Sequence, residues 1–348
     1  DQLFDPNLFD YTASAGYLGA STRILATPED PDATVVLAGK SPLDPATPSE
    51  PQRLIIGSND LDVVVTAEDG TTTQAYQVTV ERGTLDAVDQ EAYIKASNPD
   101  PDNFATSLAA QADALIAGAP FEASAATGIA GDQADNSLVD AGAAYIFTRD
   151  GVNWSQSAYV KASNTDPGDV FGISVALAEG LVAVGASGEQ SRSRGINGVQ
   201  SDNSGSAIGA VYLFAPDAGG AWQQTDYVKA SNPDSGDRFG GALALTDGVL
   251  AVGARFEQSA ATGINGDQTD DSLSNAGAVY LYTNSDDRWQ QAAYVKASNT
   301  DAGDEFGGAI ALSAETLAIG ASGENGSSVG VDGDQSDNGA ADAGAVYL

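Results

Sequence analysis

The chain has 348 residues, with 49 acidic against 14 basic side chains, a formal charge of −35, and no cysteine, histidine or methionine. That charge repels nucleic acid and anionic membrane surfaces, the missing thiols exclude disulfides and thiolate metal sites, and the missing histidine excludes Ser-His-Asp triads and histidine-based zinc sites. No run of 18 apolar residues is present to insert into a membrane, and an acidic surface suits salty or cation-rich water, so the chain reads as a mature or excised segment of a secreted protein.

Residues 1–83 read as a small β-domain, with strands near Tyr11–Ala13, Thr22–Ala26, Thr34–Leu37, Gln52–Ile56, Asp60–Ala67 and Gln74–Glu81. Alternating Val, Thr and Tyr on either side of Asp69-Gly70 predict a hairpin, because Asp-Gly tolerates the positive φ of tight turns. Phe4-Asp5-Pro6-Asn7, Asp10-Tyr11-Thr12, and Val65-Thr66-Ala67-Glu68-Asp69-Gly70 with Tyr76 resemble the cadherin-like β-sandwich domain of bacterial surface and secreted proteins. Members of that family usually carry a further strand before the Phe-Asp-Pro motif. The resemblance therefore implies a truncated segment, or a first strand supplied from elsewhere.

From residue 84 onward a block returns four times. It opens with Tyr-(Val/Ile)-Lys-Ala-Ser-Asn at Tyr93, Tyr159, Tyr227 and Tyr294, at spacings of 66, 68 and 67 residues. Each copy runs through an Asp-rich turn to a Phe, then two short apolar strands, a long acidic loop and a final Ala-Tyr run; such repeats bury their faces only against one another. Phe171-Gly172, Phe239-Gly240 and Phe306-Gly307, with Gly118-Ala119-Pro120, Gly185-Ala186, Gly253-Ala254 and Gly320-Ala321, resemble the FG-GAP repeat of integrin-α-like β-propellers. The first copy departs from it with Phe104-Ala105. The expected fold is all-β: a cadherin-like sandwich over 1–83, then a propeller over 84–348. In the third copy the strands fall near Ala242–Leu245, Leu250–Ala254, Ala278–Tyr282 and Trp289–Ala297. The fourth copy stops after three strands while Glu91–Ala96 waits before the first, so pairing the two would close a ring of four blades and remove the exposed edges. The rivals are an excerpt of a longer propeller and strand addition between chains.

The acidic loops carry the candidate metal ligands. Asp132, Asp135 and Asn136, Asp267, Asp270 and Asp271, and Asp334, Asp337 and Asn338 offer hard oxygens three to four residues apart, as Ca²⁺ requires. The second copy has Val199 where the others have Asp, leaving Asp202 and Asn203, so its loop should bind calcium worst. The alternative is that these side chains make Asx-turns that shape a solvated loop. Asp166/Asp169, Asp234/Asp237 and Asp301/Asp304 before each Phe predict turns between blocks, with a metal as the rival reading. Lys161, Lys229 and Lys296 read as surface ion pairs, and Tyr159, Tyr227 and Tyr294 as packing residues.

No carboxylate pair is singled out as a catalytic acid and base, and the chain is expected not to be an enzyme. Two functions remain open. One is an extracellular or cell-surface binding or adhesion module, calcium-supported, contacting a protein or glycan through the propeller loops. The other is a repeating subunit of an extracellular filament or coat, in which copies of the chain join by strand exchange or head-to-tail docking. Neither involves nucleic acid or membrane insertion.

Overall fold

The structure is a computed structural model that describes residues 5, 7–37, 40–84, 90–286 and 288–348. Phe4 and Pro6 of the first family motif lie outside the described residues. The chain divides into two compact units, Asp1–Tyr93 and Ile94–Leu348. Among the described residues there are strands, turns and loops and no helix, as the Gly-rich, β-branched sequence predicts.

In the first unit, strand β1 (Asp10–Ala15) pairs in parallel with β6 (Thr73–Arg82), β6 pairs antiparallel with β5 (Gly57–Thr66), and β5 with β3 (Thr34–Leu37). The short strands β2 (Ser21–Thr22) and β4 (Gln52–Arg53) pair with each other in a separate sheet. Alternation in β5 sends Leu61 and Val63 into a core with Val35, Leu37, Leu54 and Val80, leaving Asp60 and Asp62 outside. The predicted turn is present: Gly70 has φ +68°, and the Asp69 carboxylate accepts the Thr71 and Thr72 amides. Together with the Thr72 hydroxyl, these bonds hold its pKa well below the usual range.

The second unit stacks four antiparallel sheets, one per block. The first contains β7 (Ser107–Gln111), β8 (Ala114–Ala119), β9 (Ala143–Asp150) and β10 (Asn153–Val160). The second contains β11 (Phe171–Ala178), β12 (Leu181–Ala186), β13 (Ala210–Pro216) and β14 (Trp222–Val228). The third contains β15 (Ala242–Thr246), β16 (Val249–Ala254), β17 (Ala278–Ser285) and β18 (Arg288–Val295), close to the predicted spans. The fourth has three strands, β19 (Phe306–Leu312), β20 (Leu317–Ala321) and β21 (Ala345–Tyr347).

Each Phe of the Phe-Gly motif is buried in its own block, edge-on to the tyrosine of the third strand: Phe171 to Tyr212, Phe239 to Tyr280, Phe306 to Tyr347. Its backbone bridges to the preceding block, Gly142 to Phe171, Gly209 to Phe239 and Gly277 to Phe306. Close approach explains the glycines of the second strand. A Cβ on Gly185 would lie 2.1 Å from the carbonyl oxygen of Gly240 in the next block, and one on Gly253 would lie 2.1 Å from that of Gly307.

The expected closure through strand 91–96 is not formed. Residues 91–96 lie in no strand, the first sheet is complete without them, and β21 pairs only with β20 among the described residues. Closure needs the first and fourth sheets to meet as successive blocks do. The glycine–phenylalanine bridge that marks each junction occurs three times among the described residues, none of them between these two sheets.

Candidate functional site

The repeat places one buried ion pair in each complete block. Lys161, Lys229 and Lys296 follow the last strand, and their Nζ atoms lie 2.7, 2.6 and 2.8 Å from Glu122, Glu189 and Glu257. The surface reading of these lysines is corrected: all six side chains are at most 1% exposed. The glutamates were not anticipated, although Gly-Ala-x-x-Glu recurs at Glu122, Glu189, Glu257 and Glu324. Each sits three residues beyond the second strand of its block. Burial pushes each lysine below its ordinary pKa, while its glutamate opposes the shift.

The glutamate is a hub. Glu189 Oε2 accepts Lys229 Nζ and the Ser191 amide, and Oε1 accepts Asn164 Nδ2. Asn164 in turn accepts the Tyr212 hydroxyl at 2.6 Å. The same linkage recurs through Asn98 and Tyr145, Asn232 and Tyr280, and Asn299 and Tyr347. The motif tyrosines pack as predicted: Tyr159, Tyr227 and Tyr294 are buried against the tyrosines of the neighbouring strand.

The Asp-rich segments form the expected turns between blocks. Asp169, Asp237 and Asp304 each accept the amide of the Asp three residues earlier, at 2.9, 2.9 and 2.8 Å. Each leaves one buried carboxylate oxygen without a hydrogen bond. Burial first, and nearby carboxylates second, push Asp169 up to about 7 and Asp237 up to about 8.

The loop carboxylates hold backbone. Asp135 accepts the Ala125 and Ser137 amides, Asp202 those of Arg192 and Ser204, and Asp270 those of Ala260 and Ser272. Asp132, Asp267 and Asp334 each accept the amide two residues on, and Asp337 accepts the Gly339 amide. Asn136, Asn203 and Asn338 turn away to Asp100, Asp166 and Asp301 of the preceding turn. In the third block Asp271 stands there instead, its pKa raised by burial and then by Asp234. The members of each predicted triplet thus face different partners, and among the described residues no three acidic groups converge as a metal site. Val199 is accommodated because the position is used through its carbonyl, which accepts Ser191 Oγ as those of Asp132 and Asp267 accept Ser124 and Ser259. The hydrogen bonds from these carboxylates to amides two residues on are those of Asx-turns.

These features define an all-β protein of repeated construction. Family comparison assigns its parts: residues 1–83 match the cadherin-like beta sandwich domain, and residues 154–214 and 289–348 match the FG-GAP repeat. The chain thus joins a cadherin-like domain to FG-GAP repeats, neither of them an enzymatic module. No curated protein matches the chain. One solved structure that aligns is that of SGBP-B from the mixed-linkage glucan utilization locus of Bacteroides ovatus, in complex with a mixed-linkage heptasaccharide. The alignment has 13% identity, covers 84% of this chain and 67% of that one, and has a TM-score of 0.17, too low to bear on fold or ligand.

Proposed function

We propose that this chain is a non-catalytic extracellular or cell-surface binding module that meets a protein or glycan through the long loops between its second and third strands. The carrying observation is that these loops repeat one clamped geometry while exposing apolar side chains among carboxylates. Val199 and Ile264 are 62% and 69% exposed, and Val329 and Val331 are 91% exposed. Isolated surface apolar residues are ordinary; their return at the loops of successive blocks gives a multivalent surface on which weak contacts sum. The FG-GAP and cadherin-like matches support binding over chemistry.

The test is a binding screen of the immobilised chain against neutral and anionic polysaccharides and extracellular proteins. Binding that falls in steps as Val199→Asp and Ile264→Asp are combined supports the reading. If nothing in either ligand class binds, or the loop changes leave binding intact, the reading fails.

A further inference from the structure

We propose that each complete block is closed by a covalent amide between the lysine at its end and the asparagine at its entry, Lys161 to Asn98, Lys229 to Asn164 and Lys296 to Asn232, formed with release of ammonia. This goes beyond the loop-binding reading and does not depend on it.

The buried glutamate of each block touches both reactants. In the second block Lys229 Nζ lies 2.6 Å from Glu189 Oε2, and Asn164 Nδ2 donates to Oε1 of the same carboxylate at 3.2 Å. The asparagine carbonyl oxygen accepts the Tyr212 hydroxyl at 2.6 Å. These contacts run in the order an amide exchange needs: an amine, a proton carrier, a leaving nitrogen, and a donor on the oxygen that gains charge. In the third block the same contacts, among Lys296, Glu257, Asn232 and Tyr280, measure 2.8, 3.1 and 2.7 Å. In the first, Glu122 lies 2.7 Å from Lys161 Nζ and 3.3 Å from Asn98 Nδ2, and Tyr145 donates to the Asn98 carbonyl.

The surroundings favour the reaction. Lys229 and Glu189 are at most 1% exposed, and burial lowers the pKa of the lysine, so the neutral, nucleophilic amine is easier to reach than in water. Burial pushes Tyr212 and Tyr280 well above the ordinary tyrosine range, so each hydroxyl keeps the proton that it donates. The third block is the driest: Asn232 is 6% exposed, whereas Asn98 and Asn164 are half-buried. Its link is therefore expected to be the most complete.

The step balances without an outside reagent. Lys229 passes one proton to Glu189, and the free amine attacks Cγ of Asn164 while Tyr212 holds the oxygen of the tetrahedral intermediate. The new bond costs the amine a second proton, and Nδ2 takes one of the two and leaves as ammonia. The other departs with it as ammonium. An amide joins Nζ to Cγ, and Glu189 ends ionised as it began.

Such links staple the first and last segments of a block to each other. The chain has no cysteine with which to do so. Like a disulfide, the amide closes a loop in the unfolded chain and limits its freedom; unlike a disulfide, it is indifferent to reductant.

The test is the intact mass of the purified full chain, measured under denaturing conditions after prolonged incubation. Each link is expected to lower the mass by about 17 Da, the ammonia lost, and all three by about 51 Da. Tryptic digestion is expected to yield branched peptides that join Lys229 to Asn164, and likewise in the other blocks, with no cleavage after a linked lysine. Glu189→Gln and Lys229→Arg are each expected to abolish the second link and leave the other two, and Tyr212→Phe to slow it. If a variant fails to fold, the wild-type mass decides alone. A wild-type mass equal to that of the sequence overturns the proposal, as does a second link that forms unchanged in Glu189→Gln. Asp169 also faces Lys229 and has one carboxylate oxygen without a hydrogen bond. A link to Asp169 would release water instead, about 18 Da, and would overturn asparagine as the acceptor.

Discussion

Lys229 Nζ lies 2.6 Å from Glu189 Oε2, with both side chains out of water, and also donates to the Gly209 carbonyl at 2.6 Å. The pair ties the end of the last strand to the turn beyond the second strand of the same block, and Glu189 reaches back through Asn164 to the segment entering that block. One carboxylate thus fixes three segments. Desolvation makes such a pair a poor source of net stability, but an orphaned partner is costly.

Removing one side of the pair should therefore be worse than removing both. Lys229→Met leaves Glu189 buried and unpaired and is expected to cost roughly 3–5 kcal/mol. The double change Lys229→Met with Glu189→Leu is expected to recover a large part of that. Denaturant unfolding of the two variants and the wild type checks this; equal losses would mean the pair is not isolated from water.

Nothing local in the sequence marks Lys161, Lys229 and Lys296 as buried. The repeat period, the strand spans and the buried tyrosines were legible because strand patterning and recurrence are local or periodic properties. The partner of Lys229 was not, since Glu189 stands 40 residues earlier and only the fold brings them together. The acidic loops could be read two ways because Asx-turns and calcium sites use the same residues; in the structure Asp135 accepts backbone amides and Asn136 donates to Asp100. Closure was beyond the sequence altogether, since it depends on how each block is set on the next and not on how many blocks there are.

Asp169 and Asp237 make stability depend on pH in the direction opposite to a salt-bridged carboxylate. Both are raised from 3.8, to about 7 and about 8, so between 3.8 and those values the folded state binds more protons than the unfolded one. Stability then falls as pH rises through that window and levels off above it. Asp169 faces Glu189, Asp166 and Lys229, and Asp237 faces Glu257, Asp234 and Asp271, so the titrations are shared with those groups. Unfolding free energies at about pH 5.5 and about pH 8.5, chosen to bracket the window, are expected to favour the lower pH. Asp169→Asn with Asp237→Asn is expected to flatten the difference, and a slope that survives both changes would assign it elsewhere.

Glycines of one motif should respond unequally to the same change. Gly185→Ala drives a Cβ to 2.1 Å from the Gly240 carbonyl and 2.3 Å from Ser174 Oγ, forcing two blocks apart at a cost of about 3 kcal/mol or more. Gly320→Ala meets nothing nearer than 3.3 Å and is expected to leave the melting temperature of the dilute chain unchanged. Thermal melts of the two variants at low concentration decide this, and comparable losses would show that the fourth sheet is covered even in the isolated chain.

The loops offer the last test, because their carboxylates already have partners. Asp270 holds the amides of Ala260 and Ser272, ten and two residues away, so Asp270→Ala is expected to speed hydrogen exchange at both amides while leaving the strands β16 and β17 protected. A divalent cation would have to take these oxygens from the backbone it would be meant to stabilise, and the remaining ligand, Asp271, faces Asp234 of the preceding turn. Melting temperature is therefore expected to be the same in millimolar calcium and in chelator at low salt. A rise with calcium that disappears in Asp267→Ala or Asp270→Ala, but not in Asp202→Ala, would instead show that the loops rearrange around the ion and that the second block, with Val199, binds it worst.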